Sequence, residues 1–145
     1  MEMQNPTPAP PTPGRGMLKV TGILYIVFGG ITMLLALFAL LGTIAMPEYM
    51  EYVAGISADF LAVMAMVLFI QSGFSLFVGI VAVRNCADAE KATFIRAIVI
   101  IHLVMLVLQI IVDISIGSIP IEAIAGVTVP IVALVGAQKN VNALQ

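Results

Sequence analysis

Three polar side chains interrupt an apolar stretch that is long enough to cross a membrane. They are His102, Gln109 and Asp113 in FIRAIVIIHLVMLVLQIIVDISIG, residues 94–117. A helix turns by about 100° per residue, so steps of seven and four residues put all three on one helical face. Ionisable groups inside a membrane are costly and often mark ion or proton pathways. An imidazole at mid-depth, with an amide and a carboxylate leading to one surface, would form half of such a path.

A polar layer at the middle of the membrane is the second interpretation of this histidine. Four polar residues lie near the centres of separate apolar segments: Thr32, Gln71, His102 and Thr128. Without water, polar groups at this depth must find partners in the protein. Each such hydrogen bond contributes about 0.6–2 kcal/mol, so the layer would set the register of the helices. We expect this structural role, with Gln109 and Asp113 forming a polar stripe to the outer surface.

The alternative is a proton-coupled transporter or channel in which His102 titrates. The inner half of its path is missing from the sequence pattern, because the face of His102 continues in that direction only with Ile98 and Ile95. Tyr25, on another segment, is the available relay. Asp113 also lies near the end of its segment, where a carboxylate can reach water, so its presence does not require a transport role.

No catalytic residues, cofactor site or metal site are predicted. The sequence has no CxxC pair, no GxSxG elbow and no Gly-rich phosphate loop. A single histidine cannot build a metal site alone, and Cys86 is the only cysteine. An enzyme needs reactive groups within reach of one another, and His102 has no acid near its own depth. We therefore expect that the protein is not an enzyme and needs no cofactor.

The elements that carry these residues follow from composition. Hydrophobic residues make up 61% of the chain, charged residues 10%, and the mean hydropathy is +1.15. These values are typical of integral membrane proteins rather than soluble domains. Four apolar segments are each near the length that crosses a bilayer: residues 18–44, 59–83, 94–113 and 119–138. Short connections between them predict an all-α, up-and-down four-helix bundle.

The predicted domains are a tail, one membrane domain and a second tail. Residues 1–16, MEMQNPTPAPPTPGRG, are rich in Pro and small polar residues and predict a disordered cytoplasmic tail. Residues 17–140 form the four-helix transmembrane domain, and residues 141–145 form a short cytoplasmic tail. Between the first two segments, MPEYMEYVAGISAD predicts a short helix that begins at Pro47, ends at Gly55, and is followed by a cap at Ser57 or Asp59.

The basic residues predict the orientation. All six Lys and Arg fall on one side of the predicted membrane. They are Arg15, Lys19, Arg84, Lys91, Arg96 and Lys139. Because Lys and Arg in short loops remain in the cytoplasm, we expect a multi-pass protein of the cell membrane with both termini cytoplasmic. No basic patch suits phosphates, so no nucleic-acid partner is expected.

Small residues recur along three of the segments at the spacing of a helix-packing face. The positions expected to pack closely are Gly22, Gly29, Ser75, Gly79 and Gly126. In lipid, helices associate through close approach and interhelical hydrogen bonds, which small residues permit. These faces and the absence of catalytic motifs favour a small structural or interaction protein in the lipid bilayer. It would be an accessory subunit of a membrane-protein partner or a homo-oligomer.

The layout of the chain resembles that of small four-span membrane proteins of Gram-positive bacteria. The resemblance covers residues 17–140, in the spacing of the segments, the loop RNCADAEKA and the closing VTVPIVALVGAQKN. Members of that group often have Asn-Pro and several Lys in this loop, whereas here Cys86 follows Asn85. The resemblance implies a cell-membrane protein without an assigned activity, and it carries no catalytic residue over to this chain.

Overall fold

The computed structural model describes residues 12–115 and 121–144, with side chains for 12–115 and 126–144. This part of the chain is all-α, as predicted, and forms five helices: α1 (Arg15–Ala45), α2 (Pro47–Ala54), α3 (Ala58–Arg84), α4 (Ala92–Ser115) and α5 (Ile121–Asn142). Three of these, α1, α3 and α4, are long and apolar enough to cross a membrane. Most of the predicted tail and the first residues of the predicted fourth segment lie outside the described residues.

Helices α1 and α3 form the most extensive contact of the bundle. Gly22 and Gly79 face each other there: a Cβ built on Gly79 would lie 2.7 Å from the Gly22 carbonyl oxygen. A Cβ on Gly29 would lie 3.1 Å from Ser75 Oγ. The two backbones approach each other because these positions carry no bulk, which is how helices gain van der Waals contact in lipid.

The outward faces of α1, α3 and α4 carry large apolar side chains. Leu35 is 63% exposed, Phe38 69% and Ile70 61%, and many similar residues surround them. Soluble monomers rarely expose such continuous apolar surface. These faces indicate a lipid bilayer environment and a multi-pass membrane protein.

The connection between α1 and α3 contains the short helix predicted there. Pro47 is the first residue of α2, and Gly55 follows its last turn with φ of 69°, a left-handed conformation that glycine adopts without strain. Ser57 Oγ accepts a hydrogen bond from the Phe60 N–H at the start of α3. Glu51 Oε1 accepts one from the Ala58 N–H. The predicted helix and the Ser57 cap are confirmed.

One end of the bundle, which we call the basic end, is where α1 and α4 begin and α3 and α5 end. Asn140 is fully buried there. Its Oδ1 accepts a hydrogen bond from the Gly14 N–H at 2.6 Å, and its Nδ2 donates to the Cys86 carbonyl oxygen at 3.3 Å. The hydroxyl of Thr12 donates to the same oxygen. This side chain therefore ties together three parts of the chain that are distant in sequence.

Candidate functional site

A cavity of about 640 Å³ lies between α1, α3, α4 and α5. Leucine, isoleucine and valine side chains form much of its wall. Polar side chains from three helices also line it: Tyr25, Thr32, Gln71, Ser72, Ser75, His102, Gln109 and Asp113. Because α4 carries few small residues, it packs little against α3, and the cavity occupies the resulting space.

The floor of the cavity is a contact between Tyr25 on α1 and His102 on α4. Both residues are buried. Tyr25 Oη lies 3.2 Å from His102 Nδ1, so the two share a hydrogen bond whose donor depends on the imidazole tautomer. Their rings meet edge to face with centroids 5.1 Å apart. The ring of Phe74 on α3 lies 6.0 Å from the imidazole centroid.

Toward the opposite end of the bundle, which we call the acidic end, the wall on α4 includes two polar side chains that are bonded to each other. Gln109 Nε2 donates a hydrogen bond of 2.9 Å to Asp113 Oδ1, one helical turn further along. Asp113 is the only formally charged residue among the described residues that line the cavity. Predicted as a stripe on one face of α4, His102, Gln109 and Asp113 all line this one cavity.

Two polar side chains of the cavity have no hydrogen-bond partner within the described chain. These are Thr32 on α1 and Gln71 on α3. No fully buried side-chain nitrogen or oxygen in the described residues is without a partner, so the Thr32 hydroxyl and the Gln71 amide are accessible. The same reasoning applies to His102 Nε2, since the Tyr25 bond uses Nδ1.

The four residues of the predicted midplane layer are not all in this cavity. Thr32, Gln71 and His102 line it, whereas Thr128 is exposed on α5 and is not part of the lining. Gly126 also lines the cavity, and no atom lies within 4 Å of a Cβ built there. Gly126 therefore makes no close helix contact, unlike the four other glycine and serine positions of the predicted packing faces, Gly22, Gly29, Ser75 and Gly79.

Below the floor, toward the basic end, described apolar side chains form a buried cluster. Leu18, Val78, Ile95 and Val99 are fully buried in it. Ile98, one turn from His102, is 6% exposed. The cavity therefore reaches the imidazole from the acidic end and stops there.

The sequence does not predict the hydrogen bonds of two side chains, Tyr25 and Asn140. The sequence pattern offers Tyr25 only as a relay, and it is the hydrogen-bond partner of His102. Asn140 is absent from the predicted site residues. The sequence shows at this position only an amide side chain close to the end of an apolar segment. Asparagine is more often exposed than buried, so the sequence gives no reason to predict a buried hydrogen-bonding role.

The described residues contain no group of three or more His, Cys, Asp or Glu side chains that could hold a metal ion. In comparisons with protein-family models, with curated proteins and with solved structures, nothing matches this chain. No family is therefore identified. What the structure establishes is a small helical protein with three candidate membrane spans among its described residues.

Proposed function

We propose that this protein is a small structural or interaction protein of the membrane, an accessory subunit or a homo-oligomer, without a catalytic site. The observation that carries this proposal is the Tyr25–His102 hydrogen bond resting on a buried apolar cluster. A pair that is bonded within the protein, next to a buried and mostly apolar cluster, suits a role in setting helix register. The interhelical bond contributes about 0.6–2 kcal/mol.

The proposal includes α5 as a fourth span, which completes an up-and-down four-helix bundle. At 1.5 Å per residue, the 22 residues of α5 extend about 33 Å, comparable to the thickness of the hydrocarbon core. Its Asn140 lies at the basic end, while Gly126 lies along the cavity. Its contacts with α1 and α4 also support an orientation along the other helices.

We infer that the basic end faces the cytoplasm and that the protein belongs to the cell membrane, with both termini inside. The segments that meet at this end carry all six basic residues. The described segments at the other end contain no Lys or Arg. They carry four acidic side chains: Glu48, Glu51, Asp59 and Asp113. The positive-inside rule supports this orientation.

A membrane-protein partner fits a shallow apolar cavity of about 550 Å³ on the outer side of α1 and α3. Gly30 lines this cavity, and no atom lies within 4 Å of a Cβ built on it. Val27, Ile31, Leu34 and Phe69 surround the glycine. A side chain from a partner helix can enter such a place, which supports an interaction role.

Proton-coupled transport is the second candidate, because the larger cavity leads to His102 Nε2 from the acidic end. Such a path would have to continue to the basic end. The buried interior in that direction is mostly apolar and includes Ile98, Val99 and Ile95. The buried Thr21 hydroxyl donates to the Met17 carbonyl oxygen of its own helix.

Two substitutions of His102 distinguish the structural role from proton-coupled transport. Glutamine retains hydrogen-bonding capacity, and leucine removes it; neither residue titrates. In a structural role, His102→Leu should lower the free energy of unfolding in detergent by about 1–3 kcal/mol, because it leaves the Tyr25 hydroxyl unpaired. His102→Gln should cost less.

Proton flux into reconstituted vesicles is measured on the same proteins, with empty vesicles as the control. The structural proposal expects no flux above the control for the wild type. Wild-type flux that both substitutions abolish, with both variants still folded, would contradict it and support transport.

A further inference from the structure

We propose that the cavity above the Tyr25–His102 pair binds a monovalent organic cation with an elongated apolar body. The ammonium group would lie at Asp113, and the apolar body would extend between the helices toward Tyr25 and His102. This inference goes beyond the structural role proposed above and does not depend on it. It rests on the charge, the dimensions and the lining of the cavity.

The charge of the lining favours a cation. Asp113 is the single formally charged residue among the described lining residues, and neither Lys nor Arg is part of the lining. Gln109 donates to only one carboxylate oxygen of Asp113, so the other oxygen remains available to an ammonium group. Glu48, Glu51 and Asp59 lie at the same end of the bundle and add a negative potential that attracts cations and repels anions.

The dimensions and the walls favour an elongated apolar body. The volume of about 640 Å³ is within the range of small-molecule sites, about 300–1,000 Å³. Asp113 lies eleven positions after His102, which corresponds to about 16 Å along α4. Apolar side chains line this length on three helices: Leu24, Phe28, Leu68, Leu106 and Ile110. Water alone would hydrate these walls unfavourably, and an alkyl chain would replace that water.

The inner part of the cavity offers further contacts to such a ligand. The Thr32 hydroxyl and the Gln71 amide are accessible and have no partner in the described chain. Tyr25 and Phe28 also line the cavity, and their rings add apolar surface for the body of the ligand. A ligand with a second polar group would find its partners at Thr32 and Gln71, at mid-depth.

The test measures binding to the full chain in nanodiscs of zwitterionic lipid. The probes are hexyltrimethylammonium, 1-hexanol and hexanesulfonate, which share one alkyl chain and differ in charge. Isothermal titration with empty nanodiscs corrects for partitioning into lipid. The variants are Asp113→Asn, which keeps an acceptor for Gln109, and Gly126→Leu, which fills the cavity from α5. Asp59→Asn is the matched control, because Asp59 is exposed and is not part of the lining.

The proposal expects saturable binding of hexyltrimethylammonium with one site per chain, and weaker binding of the other two probes. Asp113→Asn removes the charge that attracts the ammonium group and should weaken binding of the cation about 10- to 100-fold. Asp59→Asn removes only an exposed charge outside the cavity, which salt screens, and should weaken binding by less than about twofold. Gly126→Leu adds bulk inside the cavity and should weaken binding of the cation strongly. Nothing lies within 4 Å of a Cβ built at this position, so we expect the variant to fold. If Asp113→Asn fails to fold, binding of hexyltrimethylammonium by Gly126→Leu tests whether the ligand lies in the cavity.

Three results would overturn the proposal. The first is the absence of saturable binding above empty nanodiscs. The second is equal binding of hexanesulfonate and hexyltrimethylammonium, which would mean that Asp113 does not select the charge. The third is undiminished binding by a folded Gly126→Leu variant, which would place the ligand outside this cavity.

Discussion

The basic half and the acidic half of the bundle are built from the same long helices but differ in how the interior is filled. In the basic half, Leu18, Ile95 and Val99 fill the interior completely, and Asn140 connects three segments of the chain. In the acidic half, α3 and α4 leave a cavity lined by polar groups. The backbones of α1 and α3 approach closely where both helices carry small residues, at Gly22, Gly29 and Gly79. Where α4 presents His102, Gln109 and Asp113 instead, the helices separate and polar groups line the space.

The largest effect is expected where the α1 and α3 backbones are closest. In Gly79→Leu, the new Cβ would lie 2.7 Å from the Gly22 oxygen and 2.9 Å from Tyr25 Cβ. Because neither atom is the end of a flexible side chain, the helices must separate, and we expect a loss of about 3 kcal/mol or more of stability. Gly73→Leu, on the same helix with nothing within 4 Å, should cost less than about 1 kcal/mol. Equal melting temperatures in detergent for the two variants would show that α1 and α3 do not pack through Gly79.

A smaller effect is expected from breaking the connection at the basic end. Asn140→Leu leaves the Gly14 N–H without its partner and removes one donor to the Cys86 oxygen. Loss of a buried hydrogen-bond partner costs about 1–3 kcal/mol, and we expect about 2 kcal/mol for this variant. Asn142→Leu is the control, because Asn142 is exposed and bonded only to Gln138. If denaturation in detergent shows the same stability for both variants, Asn140 does not hold the end together.

Most of the helical organisation could be predicted from the sequence because it follows from local patterns. The apolar segments 18–44, 59–83 and 94–113 correspond to α1, α3 and α4, which extend one to three residues further at each end. Pro47 and Gly55 indicated the bounds of α2 directly, since their backbone preferences act locally. Asn140 could not be predicted, because its partners lie 54 and 126 residues away.

The site could be predicted only in part, because apolar residues surround each membrane helix and a hydrophobic pattern does not define an inner face. The spacing of His102, Gln109 and Asp113 predicts that they share one face of α4, and all three line the cavity. The rotation and depth of the other helices are set by interhelical packing. That packing brings Tyr25 to His102 and leaves Thr128 exposed on α5, and neither outcome has a signal in the local sequence.

Access of water along α4 tests the contrast between the two halves most directly. Single cysteines are introduced at Gln109, at Ile98 and, as an exposed reference, at Glu51, each with Cys86→Ala to remove the native thiol. Intact expressing cells and permeabilised cells are then treated with a membrane-impermeant thiol reagent. Gln109 lies along the cavity, and Ile98 lies in the buried apolar cluster.

We predict that the cysteines at 51 and 109 react in intact cells, because the proposed orientation places the acidic end and its cavity outside the cell. The cysteine at 98 should remain unreactive in both preparations, because Ile98 is only 6% exposed and lies in the buried apolar cluster. Reaction at 98 as fast as at 109 would contradict this account of the basic half by revealing a water path through the whole bundle. Reaction at 51 and 109 only after permeabilisation would show that the protein has the opposite orientation.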